Sequence, residues 1–153
     1  MDIISKDSVV LRQVKNFKKL NIDVILANNI DKHKKIIIDQ QKEQLKFGQG
    51  SDGKKITPEY ASDNYAFDKN QQNSLAGLGT PDLNLSGDMY SGLDLLVGIP
   101  NDESYSTFSD VTYFNDLQDK YKTAFDLSAK SLKVVRPVIN NDTLKDIHEF
   151  INK

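Results

Sequence analysis

Three observations predict an α+β fold. Apolar residues recur at helical spacing through the first third of the chain. Short apolar runs surround a turn in the middle, and helical spacing returns toward the C-terminus. The expected layout is a long N-terminal helix or helices, a small central antiparallel β-hairpin, and C-terminal helices.

Asp7 or Ser8 can cap the first helix, because either side chain can accept from a free first-turn N–H. Val10, Val14 and Phe17 then follow at helical steps. From Ile22 a longer stripe runs through Leu26, Ile30, His33, Ile37, Gln41 and Leu45. Leu20, Ile22, Val24 and Leu26 also alternate, so a short strand competes there. The longer register favours one helix ending at Gly48 and Gly50. His33 lies among aliphatic residues on this stripe and reads as a partly buried, hydrogen-bonded histidine. The other histidine, His148, is far away in sequence, and neither has a ligand cluster beside it.

Ser51-Asp52-Gly53 is a turn signal, since glycine supplies positive φ. Gly48, Gly50 and Gly53 match the letters of a dinucleotide fingerprint. That fingerprint must leave a strand and open a helix, whereas these glycines follow a helix. No cofactor is expected. Tyr60 to Gln72 predicts a short helix capped by Ser62 and anchored by Tyr65 and Phe67. Gly77, Gly79 and Pro81 mark an irregular loop. Leu83 and Leu85 alternate with Asn84, which predicts a brief strand interrupted at Ser86-Gly87. Met89 to Ile99 reads as a strand, or as a short turn of helix leading into one. Pro100-Asn101-Asp102 is a turn, with Asp102-Glu103 at the hairpin tip, and Ser104 to Tyr113 gives the second strand.

Phe114, Leu117, Tyr121 and Phe125 resume helical steps. Ser128 is a candidate cap for a helix through Leu132, Val135, Val138 and Ile139. Pro137 is expected to end or kink it. Asn141 or Asp142 would then cap a last helix with Leu144, Ile147 and Ile151. The 153 residues fit a single domain, 1–153, with residues 1–20 as a candidate N-terminal arm or extra helix.

Composition narrows the function classes. The net charge of −2, with Lys32, Lys34 and Lys35 followed by Asp39, fits a solvated helix face better than a nucleic-acid surface. Cysteine is absent, which removes disulfides and thiolate metal sites. Runs such as Ile36-Ile37-Ile38 are too short to cross a membrane. The N-terminus lacks a signal-peptide pattern, so synthesis in the cytoplasm is expected. Among twenty-two carboxylates, Asp82 and Asp88 flank Ser86-Gly87 and could be tested as a hydrolytic pair. No calcium-loop order and no nucleophile elbow around Ser86 is present. No catalytic, metal or cofactor residue is assigned. Ser86 and Gly87 read as a backbone turn, with Pro81, Met89 and Tyr65 as structural or assembly residues beside it.

The order of segments carries a resemblance. Gln44-Leu45 and the glycines from Gly48 to Gly53 are followed by Tyr60, Tyr65-Ala66 and Lys69. Next come Pro81-Asp82-Leu83 and Leu85-Ser86-Gly87-Asp88-Met89-Tyr90, then Tyr121 and Phe125-Asp126-Leu127-Ser128 before a final helix. This resembles small head–tail connector and tail-completion proteins of tailed bacteriophages, especially crAss-like and related Bacteroidetes phages. Those carry a (Ser/Thr)-Gly-x-(Leu/Met/Phe) step before a strand and often a later Tyr-Gly-x-x-x-Phe-Gly-Leu-(Ser/Thr) segment near a final helix. Lys122 and Asp126 stand where that family has glycines, and residues before about 40 have no counterpart in it. The resemblance implies a structural virion protein in the neck or tail: a homo-oligomeric ring meeting portal, connector or tail proteins. DNA would pass its lumen without specific binding, and no membrane would be involved. The alternative is a small non-enzymatic phage or mobile-element binding module that docks on a host or phage partner.

Overall fold

Two apolar clusters, both reaching helix 34–46 and the β-hairpin, organise the α+β architecture. The computed structural model describes residues 8–84, 86–98 and 105–153. Helix α1 spans Val9–Lys19, α2 Ile22–Lys32 and α3 Lys34–Lys46. After a long excursion come α4 (Asp63–Gln72) and the single turn α5 (Asp88–Ser91). Strands β1 (Leu93–Leu96) and β2 (Ser106–Ser109) follow, then α6 (Phe114–Lys120) and α7 (Ala129–Asn152).

Caps set the helix starts. The Ser8 hydroxyl accepts from Leu11 N–H at 3.2 Å, Ser62 from Tyr65 N–H at 3.3 Å, and Ser128 from Ser131 N–H at 3.3 Å. Each such cap stabilises its helix by about 1 kcal/mol. The two strands pair antiparallel with Leu93 opposite Ser109 and Leu96 opposite Ser106. Leu93 and Leu95 point into the core and Leu96 is exposed, as a period of two requires. The expected turn at 100–102 and the tip residues Asp102-Glu103 lie outside the described residues.

The expected single helix from Ile22 to Leu45 is two helices. His33 breaks the register with φ −105° and ψ 13°, and its N–H bonds back to Asn29 and Ile30 carbonyls. Its ring Nε2 lies 2.8 Å from Asp142 Oδ2 on α7, so the partly buried, hydrogen-bonded reading holds. The break lets α2 and α3 each lie on α7. Ile30, from one, and Ile37, from the other, both pack with Val135 and Ile139.

Helix α7 runs unbroken through Pro137, contrary to the expected end and new cap. An interior proline costs about 3 kcal/mol through its missing N–H and ring clash. Burial of Val135 and Ile139 on either side of it returns about 1.5–3 kcal/mol each. Asp142, expected as a cap, accepts instead from Lys32 Nζ at 2.6 Å.

Two glutamines tie the layers together. Gln41 Nε2 donates to Ala124 O at 2.6 Å and Gln44 Nε2 to Asp126 O at 2.8 Å. Gln44 Oε1 accepts from Ser128 N–H at 2.7 Å. Buried donors and acceptors thereby pair across elements distant in sequence, and segment 121–128 is fixed against α3. Phe114 and Phe125 then meet edge to face at 4.7 Å.

Candidate functional site

The glycine-rich loop after α4 carries the densest group of polar side chains. Its path is set by close packing at Gly48, where a Cβ would lie 2.5 Å from Thr80 Cγ2. Lys55 Nζ holds the other side, donating to Ala76 O and Thr80 Oγ1, both at 3.2 Å. Pro81 is fully buried. The chain thus runs through residues 80–83 inside the protein, where every polar group needs a partner.

Asp82 meets that need. Lys69 Nζ stands 2.9 Å from Asp82 Oδ1. Tyr60 OH donates to the same oxygen at 3.2 Å, and so does Asn84 N–H at 3.2 Å. Asn73 Nδ2 donates to Oδ2 at 3.0 Å. Lys69 Nζ also donates to Asn84 O, and Tyr90 OH to Asp82 O. Burial pushes the Asp82 carboxyl up, but hydrogen bonds from Asn73, Lys69 and Asn84 N–H and the Lys69 charge outweigh it, and the pKa falls below the usual carboxylate value. Burial first, and then the Asp82 charge, push the Tyr60 and Tyr90 phenols well above their ordinary value. A carboxylate with four donors and a depressed pKa is a poor general base. Its chemistry is spent on holding the backbone.

That hold explains Leu83. The expected brief strand at Leu83 does not form. Leu83 adopts φ +55° with its side chain in the core, and Leu85 lies outside the described residues. Side-chain donors from α4 satisfy this segment in place of a partner strand. A non-glycine residue with positive φ costs of order 1–3 kcal/mol and persists only where its surroundings over-determine it.

Beside this pin lies an open cleft of about 310 Å³. Tyr60, Tyr65 and Leu83 line one side, and Tyr113, Leu117 and Tyr121 the other. Tyr60 and Tyr65 pack edge to face at 4.9 Å. The side facing Asn73, Asp82 and Tyr90 opens instead to a polar groove with Lys42 and Lys46 from α3.

The residues singled out in the sequence divide in two. Tyr65 and Pro81 flank the cleft and the pin. Met89 is core, packed with Leu83 and Leu93. Ser86 and Gly87 are the turn that opens α5: Gly87 has φ +88°, and Ser86 Oγ donates to Asp88 Oδ2 at 2.7 Å. Asp88 therefore pairs locally with Ser86 while Asp82 is bound to Lys69. Phe67 does not anchor α4; it is 56% exposed, and Ala66 and Lys69 are the buried residues of that helix. Lys69, Asn73, Tyr60 and Tyr90 were missed as site residues. One signal could have found Lys69. Residues 59–119 hold eleven Asp and Glu and no other Lys or Arg.

Among the described residues, no group of three or more His, Asp or Glu is placed to hold a metal, and no helix is long and apolar enough to cross a membrane. No protein-family model, curated protein or solved structure matches the chain.

Proposed function

We propose that this protein is a non-enzymatic assembly subunit that associates with copies of itself. The resemblance in segment order points to a ring in the head–tail connector or tail of a tailed bacteriophage. One observation carries the self-assembly reading. Helix α1 presents Val10, Val14 and Phe17 on one stripe, at 55%, 46% and 60% exposure, with nothing described packed over them. An amphipathic helix with an open apolar stripe is a docking element. Portal, connector or tail proteins would contact the faces of the ring, and DNA would pass through it without specific contacts.

Native mass measurement and electron microscopy of the purified protein test this, together with its detection in phage particles. A closed oligomer present in virions is expected. A strict monomer absent from particles would remove the reading. The second reading, a module that docks on a host or phage protein, is favoured by the aromatic cleft, which is open and built from rigid side chains. It predicts a one-to-one complex with a different protein and no homo-oligomer.

A further inference from the structure

Charge is segregated along this chain. Residues 59–119 carry eleven Asp and Glu against Lys69 alone, a net −10, while the rest of the chain carries nineteen Lys and Arg against eleven Asp and Glu, a net +8. Helix α1 is the purest basic element, with Arg12, Lys15, Lys18 and Lys19 exposed and no acidic residue in its eleven. The aromatic cleft lies between α4 and α6 and draws six of its eight lining residues from the acidic segment; Lys120 is the one charged residue that lines it, and the nearby carboxylates stand on its rim. Asp63 and Asp116 stand exposed in the first turns of those helices. Asp116 shares a helical stripe with the cleft residues Tyr113, Leu117 and Lys120.

The two features sit at opposite ends of α7. Helix α1 is fixed at the C-terminal end, where Gln13 Nε2 donates to Asn152 Oδ1 at 2.7 Å and Asn16 Nδ2 to Ile151 O at 3.2 Å. Tyr121 and Leu117 precede its N-terminal cap, Ser128, which Gln44 holds. A helix of 24 residues separates them, a length of about 36 Å at 1.5 Å per residue. A chain cannot fill its own cleft with its own α1 in this arrangement.

We propose that α1 of one copy docks in the aromatic cleft of the next. Phe17 is the anchor, Val10 and Val14 complete the i, i+4, i+7 contact, and the basic residues of α1 face Asp63 and Asp116. The contact is heterologous: one surface at each end, one apolar and basic, the other aromatic with an acidic rim. Such contacts close into rings or run on as filaments, and opposite potentials steer the encounter and fix its orientation. This inference rests on the self-assembly reading and names the surfaces it would use.

Exposed residues make the test clean, because their replacement leaves the fold intact. Phe17→Asp should lower self-association at least tenfold, and so should the pair Asp63→Lys with Asp116→Lys. Neither should change circular dichroism. Adding Lys15→Glu and Lys18→Glu to the chain with the two acceptor reversals should restore assembly. Mixing the Phe17→Asp chain with the acceptor-reversed chain should give a one-to-one complex of wild-type strength and no larger species, since the mixture pairs one intact α1 with one intact cleft and leaves two damaged surfaces that stop growth. Oligomers indifferent to both sets of changes would overturn this interface and leave the ring reading standing. A wild-type chain that stays monomeric to its solubility limit would overturn both. Binding of the wild type to phosphatidylserine vesicles, lost in Phe17→Asp while assembly persists, would assign α1 to a lipid surface and overturn the docking.

Discussion

Lys69 and Asp82 form an ion pair at 2.9 Å with side chains only 7% and 4% exposed. The pair joins α4 to the loop that walls the cleft. Removing one partner leaves a buried charge uncompensated, which typically costs 3–5 kcal/mol, whereas replacing both by apolar residues costs far less. Asp82→Leu and Lys69→Met should each lose about 3–5 kcal/mol in urea unfolding, and the two together should lose less than their sum. Additive losses would show that the two residues act separately.

The pH dependence follows from the same network. The folded pKa of Asp82 lies below its ordinary 3.8, so its contribution is present above that value and is lost as pH falls through the depressed one. Tyr60 and Tyr90 shift upward from 10.0, so the fold favours their neutral forms and loses that contribution as pH rises past 10. Ultraviolet titration should show these two phenols ionising only as the protein unfolds. Asp142 is held down to about 2, first by the hydrogen bond from Lys32 and then by that from His33. Carboxyl NMR should find that midpoint, and Lys32→Ala should raise it.

Gly87 tests the turn. A Cβ there would meet only Asn84 Oδ1, at 3.9 Å, so space is not the constraint; φ of +88° is. Gly87→Val should cost about 1–3 kcal/mol and Gly87→Asn less, because Asn tolerates the left-handed region. Asp88→Ala, at an exposed site, should change the thermal midpoint least. Equal midpoints for all three would refute the turn reading.

Pro137 stands on the solvent side of α7. Pro137→Ala restores an N–H to the helix and removes the ring clash, and should stabilise the protein by about 1–3 kcal/mol. A lower thermal midpoint in the variant would mean that the helix is shaped around the ring.

Helix α1 has no buried residue of its own. Deletion of residues 1–20 should leave a cooperatively folding protein whose remaining helices give an unchanged circular dichroism per helical residue, while self-association falls. A truncated chain that fails to fold would make α1 part of the core, and one that assembles normally would remove it from the interface.

Local signals in the sequence were enough for the helix caps, the hairpin and the turn at Gly87. Ser8, Ser62 and Ser128 cap helices because a hydroxyl before an amphipathic run satisfies a free N–H wherever it occurs. The hairpin was legible from Leu93 and Leu95 alternating beside a turn, and the turn at Gly87 from glycine's access to positive φ, which it uses at +88°. Tertiary structure decided what depends on partners distant in the chain. The continuity of α7 through Pro137 rests on burial against α2 and α3, and the break at His33 accompanies a contact with Asp142, 109 residues away. Leu83 left its expected strand because Lys69, Asn73 and Tyr60 converge on Asp82 beside it. No periodicity encodes that convergence. A hydrogen bond between residues 22 positions apart, such as that from Tyr60 to Asp82, exists only once the chain between them has folded back and excluded water.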